Sequence, residues 1–392
     1  MNNSLFNSLQ PPPALPSLSL QRRNKKQLTL SSPKPLDAIS CDPEAKSTPD
    51  ELIENIKNLE LGVEYHIPLK PEDLVLLKKL GQGQSGTVSK VLHLPTQKTM
   101  ARKVVHLETK EIIQSQILRE LRIMHECSSP FITKFYGTFL NEGNVVICME
   151  YVDCGSLDHI FQITGPFPEF ILSHIAKSVL SGLIYLYDNH KIIHRDVKPS
   201  NVLMNSKGKI RLCDFGVSRE LINSMADTFV GTSTYMSPER IQGGVYSIKG
   251  DIWSLGLMLY ELASGKHAFT DDPMDALQLH DNANFDNNKQ SNNINSNNNN
   301  NFQREIPKKT NHSILELLQR IVNESPPALS PKQGYSAELC DFIEKCLKKE
   351  KQRGSPWELM DHPFLKAPSD DSLIKKWAKN VRKVQKGKKE IE

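Results

Sequence analysis

Strand-type text fills the first part of the patterned chain and helix-type text fills the rest, and this segregation constrains the fold most. LVLLKKL (74–80), TVSKVLHL (87–94) and TMARKVV (99–105) are short apolar or β-branched runs, parted by glycines and by a turn at Pro95-Thr96. NVVICMEYV (144–152) reads as a buried strand. Residues 109–126 set Ile113, Ile117, Leu121 and Met124 on one face of a helix, and 170–190 carry apolar residues at helical periodicity. Helical text resumes near Ile314 and runs to about Leu365. The expected class is therefore α+β and bilobal. A small β-rich lobe with one helix covers about 71–150, and a larger, mainly helical lobe covers about 153–366.

The flanks are of different material. Residues 1–50 are rich in Ser, Pro, Asn and Leu without period and predict a disordered tail. Residues 51–70 read as a linker with a short helix at ELIENIKNLEL, where Leu52, Ile56, Leu59 and Leu61 suit either a nuclear export signal or a helix lying on the small lobe. Asn-dominated text predicts a disordered insertion over 281–311, because Asn forms helix interiors and strands poorly. In the basic tail 367–392, Leu373, Trp377, Val381 and Val384 recur at helical spacing among Lys375, Lys376, Lys379, Arg382 and Lys383. That predicts an amphipathic helix over 372–385, which could dock a partner, lie on a membrane surface or pack back onto the helical lobe. Seven cysteines at scattered spacings, with no C-x-x-C pair, predict free thiols in a reducing compartment rather than a zinc site or disulfide framework. No uncharged apolar run reaches transmembrane length, and the N-terminus lacks the order of a signal peptide, so neither a membrane span nor secretion is expected. A net charge of +4 gives no reason to expect nucleic acid as a partner.

The chemistry lies in five motifs. Gly81-Gln82-Gly83-Gln84-Ser85-Gly86-Thr87-Val88 follows the first strand run. Glycines let backbone amides approach phosphates. Alone, this stretch reads equally well as a glycine-rich hairpin turn. Its place between strands, with no helix after it, disfavours a Rossmann dinucleotide site. Lys103, in Met100-Ala101-Arg102-Lys103, offers a point charge for phosphate oxygens, and Glu120 on the predicted helix is its natural ion-pair partner. His194-Arg195-Asp196-Val197-Lys198-Pro199-Ser200-Asn201 comes next, then Asp214-Phe215-Gly216 after a strand-like KIRLC, then Ser237-Pro238-Glu239.

In this order the set resembles the protein-kinase signature. Phosphoryl transfer relies on positioning and charge neutralisation. The resemblance implies that Asp196 accepts the substrate hydroxyl proton, while Asn201 and Asp214 hold Mg2+ against the phosphates of ATP. It also implies that Lys103, fixed by Glu120, grips the α- and β-phosphates and that Lys198 steadies the γ-phosphate. Val88, Ala101 and Leu203 would line the adenine pocket, with Met149 as gatekeeper before a connector at Glu150-Tyr151-Val152. M-A-R-K, H-R-D-V and S-P-E replace V-A-I-K, H-R-D-L and A-P-E without removing a catalytic group. Glu239 needs a buried cation, and Arg353 stands where kinases supply one. Cys213 is expected to face the nucleotide pocket, where electrophiles could reach it.

Within the kinases, HLETK, ICMEYVDCGSLD, HKIIHRDVKPSNVLMNSKGKIRLCDFGVS and VGTSTYMSPERIQG resemble the MAP kinase kinases, most of all their fungal pheromone-response and filamentation branch. Ser224 and Thr228 are similar to that family's phosphosite pair. Phosphates there would order the loop, with Arg195 as a ready cation. The resemblance implies a dual-specificity enzyme that phosphorylates Thr and Tyr of a T-x-Y loop in a downstream MAP kinase, and an upstream MAP kinase kinase kinase that activates it. It also implies a location in the cytoplasm, with shuttling to the nucleus as an option. Arg22, Arg23, Lys25 and Lys26 followed by Leu28 and Leu30 resemble the family's MAP kinase docking site; a nuclear-localisation signal or a solvated basic run would look the same. The tail helix lies where the family docks its upstream kinase. The alternative is a kinase-shaped protein that acts mainly through docking segments, with a scaffold protein as a further partner.

Overall fold

The computed structural model describes residues 69–83, 86–106, 121, 123–215, 233–269, 314–366 and 370–389. Glu120, Gln84, Ser85, Ser224, Thr228, the docking segment 22–30, residues 51–61 and the Asn-rich tract lie outside them.

The small lobe is a five-stranded antiparallel sheet of β1 (Leu74–Gly83), β2 (Gly86–His93), β3 (Lys98–His106), β4 (Phe135–Asn141) and β5 (Asn144–Glu150), ordered β1-β2-β3-β5-β4. The sequence predicted four of these and missed β4, which packs at the far edge through a bulge at Tyr136-Gly137. The pleat of β3 sends Ala101, Lys103 and Val105 to one face, and Ala101 and Val105 pack there with Leu121, Val145, Ile147 and Met149. Met100 goes to the other face with Leu74, Val91 and Cys148.

The large lobe opens with α1 (Leu157–Thr164) and α2 (Glu169–His190). Ser156 caps α1 by accepting the His159 amide. A two-stranded sheet of β6 (Val202–Met204) and β7 (Ile210–Leu212) follows the catalytic-loop sequence. The helices α3 (Pro238–Ile241), α4 (Ile248–Ser264), α5 (Ile314–Asn323), α6 (Ala337–Cys346), α7 (Pro356–Met360) and α8 (Pro363–Lys366) complete the lobe. By length and composition α2 could cross a bilayer, but Ile171, Leu172, Ile175, Val179 and Leu180 are buried in the lobe's core. Gly182 lets α2 approach β7, since a Cβ there would lie 2.6 Å from Leu212 Cδ1.

The predicted tail helix forms as α9 (Asp371–Lys389). Ile374, Ala378 and Val381 join the large-lobe core, and Trp377 meets Phe167 edge-on at 5.2 Å. Of the three roles open to it from sequence, packing back is the one this apolar face takes. The buried face differs from the predicted one. Leu373 and Val384 are each 46% exposed, whereas Gln385 is buried.

Candidate active site

The site lies where β3 and β5 of the small lobe face the loops around β6 and β7. Lys103 is 2% exposed, and its neighbours across the sheet are Val88 on β2 and Ile147 on β5. An ammonium so placed needs an anion. It finds Asp214, with Nζ 2.7 Å from Oδ1. Burial raises the Asp214 carboxyl. The charge and hydrogen bond of Lys103, with help from His194 and Lys198, outweigh it and hold the group below its ordinary value. The structure thus gives Lys103 a described partner that the sequence had not assigned to it.

A second pair lies on the catalytic loop. Lys198 Nζ is 3.2 Å from Asp196 Oδ2. Asn201 Nδ2 donates to both the carbonyl and Oδ2 of Asp196, each at 2.9 Å. The Asn201 nitrogen faces Asp196, so its amide oxygen is the atom suited to a cation. Cys213 N donates to Asn201 O at 3.0 Å, which ties the segment bearing Asp214 to the catalytic loop.

Buried Asp251 on α4 sets the loop's geometry. Its oxygens accept the amides of His194 and Arg195, both at 2.8 Å, and the Tyr246 hydroxyl at 2.7 Å. Burial pushes its carboxyl up, opposed by His194 and these donors. Arg195 and Asp214 both adopt positive φ, 66° and 58°. For non-glycine residues such backbone persists where the surroundings over-determine it. The His194 ring completes the scaffold, with Nε2 3.1 Å from Cys213 O. The sequence reading missed Asp251. Its one signal is a carboxylate at the head of the largely apolar run IWSLGLML.

Val88, Ala101 and Met149 share the cluster on the face that carries Lys103, and half-buried Leu203 lies on β6. Gly81, Gln82 and Gly83 form the β1 end of the glycine hairpin, paired with Val88, Thr87 and Gly86. A Cβ on Gly86 would collide with the Val104 carbonyl oxygen, and its φ is +118°, so only glycine fits. The Glu150 carboxylate accepts Arg211 Nε at 3.0 Å, so its side chain ties the connector to β7 and leaves its backbone as the part that could meet a nucleotide. Cys213 directs Sγ to Asn201 O at 3.4 Å, and burial pushes its thiol well up, the opposite of an activated nucleophile. Val152 is buried and its carbonyl accepts Gly155 N at 3.1 Å, which shapes the connector.

Glu239 and Arg353 pair as expected, at 2.6 and 3.0 Å through two parallel contacts. The residues suit a nucleotide triphosphate with a hard divalent cation. The Asp214 carboxylate and the Asn201 amide oxygen are ligand types that suit Mg2+, which keeps waters and phosphate oxygens in its shell. Two ammonium groups supply charge for phosphates. Among the described residues no group of three His, Cys, Asp or Glu could hold a metal by itself, so phosphate oxygens would complete the shell.

Comparison with known proteins bears on the same segment. Residues 74–365 match the model of the protein kinase domain. The chain is 48% identical over 352 residues to the serine/threonine-protein kinase STE7 homolog of Candida albicans, covering 81% of this chain and 59% of that protein. This chain therefore spans about three fifths of that relative's length. It is 45% identical over 366 residues to the mitogen-activated protein kinase kinase MST7 of Pyricularia oryzae, covering 92% of this chain and 80% of that one. It is 44% identical over 361 residues to the dual specificity mitogen-activated protein kinase kinase dSOR1 of Drosophila melanogaster, covering 88% and 87%.

Proposed function

This chain belongs to the protein kinase family and, within it, to the MAP kinase kinases; from that premise we propose that it transfers the γ-phosphate of Mg-ATP to both Thr and Tyr of a T-x-Y loop in a MAP kinase. The carrying observation is the joined cluster Lys103–Asp214 and Lys198–Asp196–Asn201. When bound, Mg-ATP supplies the phosphoryl group and the cations that neutralise its charge. Asp196 accepts the hydroxyl proton through the carboxylate that Asn201 and Lys198 orient. In this reading Lys198 turns from Asp196 to the transferring phosphoryl group, Lys103 holds the α- and β-phosphates, and Asp214 and Asn201 would offer oxygens to the metal.

The relatives' printed names support this reading: one of them is a dual specificity kinase, and two are mitogen-activated protein kinase kinases. In this proposal an upstream MAP kinase kinase kinase phosphorylates Ser224 and Thr228, residues 22–30 dock the MAP kinase, and the setting is a fungal mating or filamentation cascade. Cytoplasmic location is part of the proposal, in keeping with six free cysteines among the described residues. The test is phosphosite mapping of an inactive MAP kinase after incubation with Ser224→Asp/Thr228→Asp protein and Mg-ATP. Phosphate on both Thr and Tyr is the expected result. Phosphate on Ser or Thr of general substrates alone would remove the dual-specificity assignment.

A further inference from the structure

Helix α9 closes on the connector between the lobes. That connector leaves β5 after Glu150 and enters α1 at Leu157. Gln385, a buried amide, donates Nε2 to the Cys154 carbonyl oxygen at 2.8 Å. Arg382 Nε lies 3.7 Å from Asp153 Oδ2, and its positive charge acts on the neighbouring Tyr151 hydroxyl. The Tyr151 ring carries Lys90 Nζ, from β2 of the small lobe, 4.7 Å from its centroid. One aromatic ring thus stands between the tail helix and the small lobe.

α9 also meets the β6–β7 turn, and that turn is tied to the connector. Asp153 accepts the Ser206 amide at 2.8 Å. Ile374 packs on Gly208, where an added Cβ would lie 2.5 Å from Ile374 Cγ2. The connector is itself stitched to β6, with Cys154 N on Met204 O at 3.1 Å and Met204 N on Gly155 O at 2.9 Å. It is otherwise irregular backbone. Arg382 and Gln385, with the Ala378 carbonyl that accepts Cys154 Sγ at 3.9 Å, are the described tail groups that meet residues 153 and 154. The loop at His194 and Arg195 is held separately, by Asp251 from α4.

We propose that Arg382 and Gln385 are positioning residues for nucleotide binding: they hold the connector in the one geometry that receives the nucleotide base. The inference rests on the ATP use proposed above. A connector ordered before binding costs less to order on binding. Asp196 and Lys198 are fixed independently, so loosening the connector acts on ATP affinity and leaves the phosphoryl-transfer step nearly unchanged.

The experiment uses the full chain. ATP KM, kcat at saturating ATP, and amide hydrogen exchange are measured for wild type, Arg382→Ala, Arg382→Lys, the near-isosteric Gln385→Met and, as a control on the exposed face, Lys383→Ala. For Arg382→Ala and Gln385→Met the expected result is an ATP KM raised about five-fold, the scale of one net hydrogen bond, with kcat within two-fold of wild type. Exchange should quicken at residues 151–155 and stay unchanged in α2. Arg382→Lys should recover most of the affinity, and Lys383→Ala should match wild type. An unchanged KM in Gln385→Met overturns the proposal. So does a fall in kcat with faster exchange throughout the large lobe, which would make α9 a general brace. Failure of wild type to bind ATP would overturn the kinase reading and this one together, whereas wild-type binding with unaltered variants overturns this one alone.

Discussion

Replacing Arg353 by Met removes the cation that holds α3, through Glu239, to the rest of the large lobe. The Arg353 side chain is 0% exposed and Glu239 is 16% exposed. Besides the two contacts to Glu239, the guanidinium donates Nε to Lys348 O at 3.0 Å and Nη1 to Lys249 O at 2.8 Å, and lies 5.1 Å from the Trp253 ring. The variant strands a mostly buried carboxylate and two carbonyls. Breaking a buried pair in this way costs about 3–5 kcal/mol. At about 2–4 °C per kcal/mol for a domain of this size, the melting temperature should fall by about 6–20 °C in scanning calorimetry at pH 7. The double variant Glu239→Gln/Arg353→Met should lose less than the sum of the single losses, because the stranded charge is gone. The pH dependence has a fixed sign. Burial raises the Glu239 carboxyl, but the hydrogen bonds and charge of Arg353 win and hold it below its ordinary value of 4.5. A carboxyl depressed in the folded state stabilises above its unfolded value, and that stability is lost as pH falls through the folded value. The melting gap between wild type and Glu239→Gln should therefore narrow below about pH 4.5. A loss under about 3 °C for Arg353→Met, or a gap that widens on acidification, would refute the reasoning.

Other perturbations have equally definite outcomes. Gly208→Ala forces a side chain onto φ +78° and into Ile374; it should cost about 1–3 kcal/mol by calorimetry and quicken proteolysis within α9. Lys103→Met leaves Asp214 without its ammonium; phosphoryl transfer should fall by about a hundred-fold or more, with near-native circular dichroism. Asp251→Asn replaces one of the two oxygens that accept the His194 and Arg195 amides with a donor; kcat should fall by about ten-fold or more, with ATP KM changed far less.

What the sequence made legible was the chemistry that admits few residue types. Lys103, Asp196, Lys198, Asn201 and Asp214 stood out because charge, amide and spacing were all required, and the structure joins them through short contacts. The lobe order was legible for a different reason: short apolar strand runs, with one helical stretch among them, come before Val152 and long helical periodicity comes after it. β4 escaped because FYGTFLN is broken by Gly137 at φ 152° and only part of it is buried. Asp251 escaped because its partners are backbone amides far away in sequence, which no local pattern announces. The Glu150–Arg211 pair escaped because its partners lie 61 residues apart on β5 and β7. The tail shows the same limit. Spacing foretold a helix, but which face is buried depends on the connector it meets. There the Cys154 carbonyl favours Gln385 over the apolar Leu373 and Val384.

The central claim is that the cluster at Asp196 transfers phosphate from Mg-ATP to a MAP kinase. The rate of γ-phosphate transfer to a T-x-Y-bearing MAP kinase, compared between the Ser224→Asp/Thr228→Asp protein and the same protein carrying Asp196→Asn, tests it most directly. The account predicts transfer in the first and a loss of about a thousand-fold or more in the second, with ATP still bound. Equal rates in the two, or no transfer by either while both bind the MAP kinase, would contradict it and favour a protein that acts through docking alone.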